Sequence, residues 1–335
     1  MFIPNSKQKA SVIAQRWRKD EYFKYAIERI STGFPALDNA LGGGLIYGLH
    51  IMGAIPTLGK STFLIQMIDQ MAMKGHYCIH FALEVSEQII LAKSLARQMY
   101  CDYKDKNPNL IKTATELMDI NRMKQFTEEE WAAINYSREK VEKYGEHIWI
   151  VSQDSECRTA QDIVNYTEKW MDQMKKRPII FIDYLQLLDS STGKLLNDKQ
   201  RVDESVRTLQ RFALKKKIPI VLISSLNRES YEEEINTRCF KESGGIEFGA
   251  ETLIGLQIKG TGEKGFKVKE GLARNPRQIG LSILKSKNSR LPDRSIEYLF
   301  YPENCYFEEK NGMSNIYCDN YRSGNNLKRN ISDFS

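Results

Sequence analysis

The sequence predicts an α/β fold, a mostly parallel sheet covered by helices on both faces, and three observations carry that expectation. First, the apolar run Leu49–Met52 leads into a glycine- and proline-bearing loop ending Gly59, Lys60, Ser61. An apolar helical pattern follows at Phe63, Leu64, Met67, Ile68 and Met71, so the local order is strand, loop, helix. Second, short apolar runs alternate with amphipathic stretches along most of the 335 residues, as in crossover-connected parallel sheets. Third, Lys60, Glu84, Asp183 and Ser225 all fall at or just beyond the ends of apolar runs, where such sheets bind their ligands.

Each element has its own reason. From Ser11 to Ile30, the apolar residues Ile13, Trp17, Phe23, Ile27 and Ile30 recur among charges at helical spacing, which predicts a basic amphipathic helix over 1–30 whose apolar face needs a cover. The glycine-rich stretch Ser31–Gly48 ends in the strand that feeds the loop. Gly75 breaks the helix after the loop, and Tyr77–Leu83 then reads as a buried strand ending at Glu84. Helices follow at Glu87–Met99 and, after the polar and irregular 102–126, behind Thr127, which with Glu130 forms a capping box. Ile148–Val151, Pro178–Leu188 and Pro219–Ile223 read as strands or strand-led runs, with helices over Asp162–Lys176 and Val202–Lys216 between them. Asn227–Gly245 is charged and loop-like. Strands are expected at Thr252–Ile258, Gly280–Leu284 and Ile296–Tyr301, giving one main domain over 31–305 and a disordered, Asn-, Ser- and Gly-rich tail over 306–335.

Composition narrows the class. No apolar run approaches the ~20 residues needed to cross a bilayer, and the first eleven residues lack the apolar core of a secretory leader, so a cytoplasmic protein without a membrane partner is expected. Six cysteines form no C-x-x-C pair and four histidines are scattered, which speaks against a zinc site, a disulfide framework or a metal held by protein ligands alone. The net charge of +6 permits a polyanion partner. Its excess gathers in residues 1–30 and between Lys264 and Arg294.

The chemistry centres on Ala54, Pro56, Thr57, Leu58, Gly59, Lys60, Ser61 and Thr62. This run fits the nucleotide-loop pattern with alanine in place of the first glycine. Backbone N–H groups of such a loop, with the first turn and dipole of the helix behind it, converge on a phosphate. Lys60 then reaches the outer phosphates of ATP and Ser61 holds Mg²⁺. Asp183, at the end of an apolar run, is the expected second Mg²⁺ residue, acting through water, and Glu84 is placed to orient the attacking water.

The segments STGFPALDNALGGGL, GAIPTLGKST, FALEVSEQI, IIFIDYLQLL, ISSLNRE, KESGGIE and LKSKNSR occur in the order and spacing of the C-terminal motor domain of DnaB-type replicative DNA helicases. The chain resembles that RecA-like family from about Ser31 to Tyr301. The resemblance implies ATP hydrolysis between the subunits of a homo-hexameric ring, with single-stranded DNA passing through it and a loader or primase among its partners. It implies DNA contacts from loops matching Ser190–Arg201 and Arg228–Lys241, with Arg201, Arg228 and Lys241 as candidates. A basic finger acting in trans would come from Leu284–Arg290, where Lys285 and Lys287 hold the family's Lys-x-Arg places and Arg290 follows; Lys287 and Arg290 both remain candidates.

Four departures stand out. The family's glutamine before LNR is Ser225, its loop glycine is Thr57, its arginine nine residues past the glutamate is Lys93, and its N-terminal helical domain has only the segment 1–30 in its place. The acidic run Glu232–Glu234 lies in a loop expected to face phosphates. Two readings follow: a DNA helicase or translocase, or a RecA-like ATPase without unwinding that serves as an assembly or recombination-mediator module.

Overall fold

The computed structural model of the chain describes residues 26–152, 155, 157–191, 196–240 and 243–310. Among these, nine strands form one sheet in the order β3-β2-β4-β5-β1-β6-β7-β8-β9. The first six in that order are mutually parallel: β3 (Ile148–Ser152), β2 (Cys78–Ala82), β4 (Ile179–Asp183), β5 (Pro219–Ser225), β1 (Gly48–Ala54) and β6 (Thr252–Ile258). The last three, β7 (Arg277–Ser286), β8 (Ile296–Tyr301) and β9 (Tyr306–Glu309), run antiparallel to their neighbours. The central strands β1, β2 and β4 are buried at every residue, which explains their near-continuous apolar character.

The helices are α1 (Pro35–Ala40), α2 (Lys60–Met73), α3 (Glu87–Tyr103), α4 (Ile120–Met123), α5 (Glu128–Gly145), α6 (Ala160–Met174), α7 (Asp198–Lys216), α8 (Ser243–Gly249) and α9 (Val268–Leu272). Three begin at complete capping boxes: Thr127 with Glu130, as expected, Thr159 with Asp162, and Asn197 with Gln200. The last two place α6 and α7 a few residues ahead of the apolar periodicity.

The structure departs from expectation at both ends of the fold. Most of the expected N-terminal helix lies outside the described residues, but 26–30 are not helical. Ile30 instead exchanges both backbone hydrogen bonds with Leu45 at 2.8 Å, and the Arg29 guanidinium donates to the Leu41 carbonyl at 2.7 Å. At the other end, Tyr306–Glu309, placed in the expected tail, is an inner part of the molecule. Phe307 is fully buried and stacks on Phe300 with ring centroids 4.1 Å apart, and its backbone N–H and C=O are both engaged by the side-chain amide of Gln66 on α2, at 2.8 and 2.9 Å. The remainder of that tail lies outside the described residues. Two helices arise where the sequence reads as loop: α1, opened by Pro35 and braced by Asp38 hydrogen bonds to Ser31 and Thr32, and α8. Strand β7 also extends beyond its apolar centre, because Arg277 and Gln278 still pair with β8.

A buried ion pair joins the layers, Arg97 on α3 with Asp69 on α2. Arg97 also donates to the Cys305 carbonyl at 2.9 Å, and Tyr144 on α5 reaches Asp69 at 3.2 Å. Charges buried in this way are tolerated because hydrogen bonds meet them from several elements at once.

Candidate functional site

Parallel strands deliver their C-terminal ends to one edge of the sheet, and the site is built there. Strand β1 ends at Ala54. The chain then turns through Pro56 and Thr57, both exposed, and Leu58, fully buried, to Gly59, which lies in the left-handed region at φ 103° as the residue preceding α2. Only glycine fits there, since a Cβ would lie 2.6 Å from the Phe300 ring besides requiring that φ. No side chain caps α2 and its first turn carries no acidic residue, so the N–H groups at its start are offered to an external anion. Lys60 and Ser61 are its first two residues, and the Lys60 ammonium sits 5.9 Å from the centre of the Tyr184 ring.

Asp183 closes β4, fully buried, and among the described residues neither carboxylate oxygen receives a hydrogen bond of ordinary geometry. Burial raises its pKa most strongly and the charge of Glu84 adds to this, while the Ser61 hydroxyl, Lys60 and Lys93 favour the ionised form. A sealed carboxylate of this kind, beside a serine hydroxyl and an ammonium, has the donor set that a hydrated divalent cation would complete. Among the described residues no cluster of three His, Cys, Asp or Glu side chains is arranged to hold a metal.

Glu84 lies two residues past β2, exposed, and the Leu83 N–H donates to the Asp183 carbonyl at 2.9 Å, which fixes the two strand ends together. Lys60, Ser61, Glu84 and Asp183 are therefore brought to one place. Ser225 ends β5 nearby; its N–H donates to the Gln186 side chain at 3.1 Å, and Gln186 donates in turn to Ser224 at 3.0 Å.

The basic candidates are not brought there. Strand register puts Ser286 level with Thr252 and His50, whereas Ala54 is level with Leu256 and Leu281. His50 to Ala54 is about 13 Å of strand, so Lys287 lies at the opposite edge of the sheet from the loop of its own chain. There Lys287 faces Glu251 at 3.7 Å, Asn288 bonds the same carboxylate and Lys285 donates to the Glu247 carbonyl. Arg290 is 89% exposed, with Asp293 beside it at 3.9 Å. Arg201, on α7, pairs with Asp198 at 2.6 Å and lies 3.6 Å from Asp189, Arg228 is exposed, and Lys241 lies outside the described residues.

One residue at the loop was not anticipated. Arg277, the first residue of β7, donates to the Thr57 carbonyl at 2.7 Å with its guanidinium 5.7 Å from the centre of the Phe300 ring. The sequence holds only a weak sign of it, a basic residue opening an apolar strand.

Comparison with known proteins places the chain in a family. Residues 29–308 match the model of the DnaB-like helicase C-terminal domain. Among curated proteins, the replicative DNA helicase DnaB of Geobacillus stearothermophilus is 28% identical over 235 residues, 69% of this chain and 47% of that protein. The replicative DNA helicase DnaB of Helicobacter pylori strain J99 is 27% identical over 282 residues, 80% of this chain and 53% of that protein. The chain thus spans about half the length of these relatives. Among solved structures, an isolated ATPase domain superposes with a TM-score of 0.72 at 17% identity, covering 92% of this chain and 99% of that one. A DnaB-like replicative helicase described with its primase interactions gives 0.70 at 17% identity, covering 90% and 67%. These two establish the fold, RecA-like in the manner of DnaB ATPase domains. With the family model covering most of its length, the chain belongs to the DnaB-like helicase C-terminal domain family.

Proposed function

We propose that this chain is the ATP-hydrolysing motor of a ring-shaped helicase that moves on single-stranded DNA during replication. The observation that carries the reading is the separation just described: the phosphate loop, Glu84 and Asp183 share one edge of the sheet, and Lys287 and Arg290 lie at the other. A site that holds the phosphate loop, Lys60, Glu84 and Asp183 but not the basic segment of its own chain would be completed by that segment of a neighbouring copy, and the ring is the closed form of such head-to-tail contacts.

In this mechanism the loop N–H groups and Lys60 hold the β- and γ-phosphates of ATP. Ser61 and Asp183 would hold Mg²⁺, which when bound would offset charge on the phosphate oxygens. Glu84, exposed beside them, accepts a hydrogen bond from the attacking water and draws off its proton. The neighbour's Arg290, held out in solvent, stabilises the charge that develops on the transferred phosphoryl group, with Lys287 as the alternative donor. Arg201, Arg228 and Lys241 would meet DNA phosphates, giving little sequence preference. A primase is a partner of the kind that the compared DnaB-like structure suggests, and a loader is proposed beside it. Among the described residues no helix is long and apolar enough to cross a membrane, and a cytoplasmic site of action is proposed with the rest.

A second reading, a RecA-like DNA-dependent ATPase without unwinding that serves as an assembly or recombination-mediator module, is favoured by Ser225, whose short side chain replaces the family glutamine. Measuring ATPase rate with and without single-stranded DNA, on protein sized by light scattering, tests the proposal, with unwinding of a forked duplex assayed in parallel. DNA-stimulated hydrolysis by a hexamer that opens the fork is expected. Stimulated hydrolysis without unwinding would establish the second reading, and hydrolysis by monomers indifferent to DNA would overturn both.

A further inference from the structure

The phosphate loop carries a conformation that its sequence does not favour. Thr57 sits at φ 62°, in the left-handed region. A β-branched residue is disfavoured there by its Cβ and its stiff χ1, whereas glycine enters freely. Thr57 and its carbonyl are exposed. What holds the carbonyl is the Arg277 guanidinium, donating to it at 2.7 Å.

That guanidinium is itself held. Arg277 pairs with Phe300 across β7 and β8, and its guanidinium lies over the Phe300 ring. Phe300 is stacked on Phe307, and both rings close against Gly59, where an added Cβ would come within 2.6 and 3.0 Å of them. The antiparallel end of the sheet therefore buttresses the loop at two points, Gly59 through the rings and Thr57 through Arg277. Burial on this wall lowers the pKa of Arg277 from its ordinary value but leaves it charged at any working pH.

We propose that Arg277 is a positioning residue, which keeps the phosphate loop in its nucleotide-receiving shape by clamping the Thr57 carbonyl and so offsets the strain of a threonine at a glycine-like position. This rests on the reading of the loop as an ATP site. The clamp acts before chemistry, so its loss is felt as weaker binding and a higher KM, with kcat changed little. Because the strain belongs to Thr57, the need for the clamp falls when glycine stands there.

The test is a double-mutant cycle of Arg277→Met, which keeps an unbranched apolar stem beside Phe300 but has no donor, with Thr57→Gly. Affinity is read with a fluorescent ATP analogue, and kcat and KM are read by turnover. Arg277→Met is expected to weaken binding roughly tenfold in the Thr57 protein, and less than about threefold in the Thr57→Gly protein. Arg277→Lys, able to donate to the carbonyl, should recover part of the affinity. An equal loss in both backgrounds, or a fall in kcat at unchanged affinity, overturns the clamp. Should thermal melts show that Arg277→Met does not fold, the same cycle run with Arg277→Gln and Arg277→Lys decides the matter. Failure of the unaltered protein to bind the analogue, or indifference to Lys60→Ala, would instead sink the ATP reading itself, and with it the clamp.

Discussion

Asp183 shows at the level of one side chain how this site is prepared. A carboxylate sealed from water without hydrogen bonds of good geometry costs stability on its own, so its presence marks a place where something else is to be bound. Glu84, exposed a few residues past the neighbouring strand, has no such constraint and is available to a water molecule. From this division of labour, Glu84→Gln is expected to bind ATP within about twofold of the unaltered protein while hydrolysis falls by at least about 10², and Lys60→Ala to lose both. Equilibrium binding and single-turnover hydrolysis measure this, and residual hydrolysis within a fewfold would mean that another group orients the water. The four residues at the loop were legible in the sequence because each is fixed by its immediate surroundings, a loop before a helix or the end of an apolar run. Arg277 was not, since it acts on a carbonyl 220 positions away and nothing local to either residue announces the contact. For Lys287 and Arg290 the sequence offered two cations; the structure separates them by their surroundings, the buried Glu251 for one and the exposed Asp293 for the other.

At the scale of elements, the strands that carry apolar runs were found nearly where the sequence put them, while α1, α8 and β9 were not. Short elements gain little from their own propensity and depend on distant partners. Glu309 accepts the Ala36 N–H at the start of α1 from 273 positions away, and Gln66 on α2 clasps both backbone groups of Phe307 from 241 away. The clasp joins the helix that opens with Lys60 to the last strand of the sheet. Gln66→Leu would remove both of these hydrogen bonds from a buried N–H and C=O, at about 1–3 kcal/mol for each group. The melting temperature is therefore expected to drop by several degrees, with earlier proteolysis near residue 306 than elsewhere. An unchanged melting curve would show that pairing with β8 and ring stacking hold β9 without the clasp.

For the whole molecule, the proposal requires that catalysis be shared between copies. Subunits bearing Glu84→Gln keep their basic segment, and subunits bearing Arg290→Ala keep their loop and Glu84, so each lacks what the other has. Each variant alone is expected to lose roughly 10³-fold in turnover, and mixing the two should restore hydrolysis at the interfaces where an intact loop meets an intact Arg290. If mixing restores nothing for Arg290→Ala or for Lys287→Ala, the basic segment does not act in trans and the ring loses its mechanical basis. The expected helix over 1–30 belongs to the same question, and its role in assembly is open to deletion and sizing. Strand β7 acquires a particular meaning in such a ring. Its ten residues span about 33 Å, and they begin at the phosphate loop of one copy, through Arg277, and end beside Lys285 and Lys287, which would face the next. Paired with β8 over Arg277–Leu281 and with β6 over Ile279–Ser286, with an irregularity of register near Leu284, the strand ties both of its ends to one sheet. A shift of one loop on gaining or losing its phosphate would therefore be felt at the far end, and the firing order around the ring would run along a single strand.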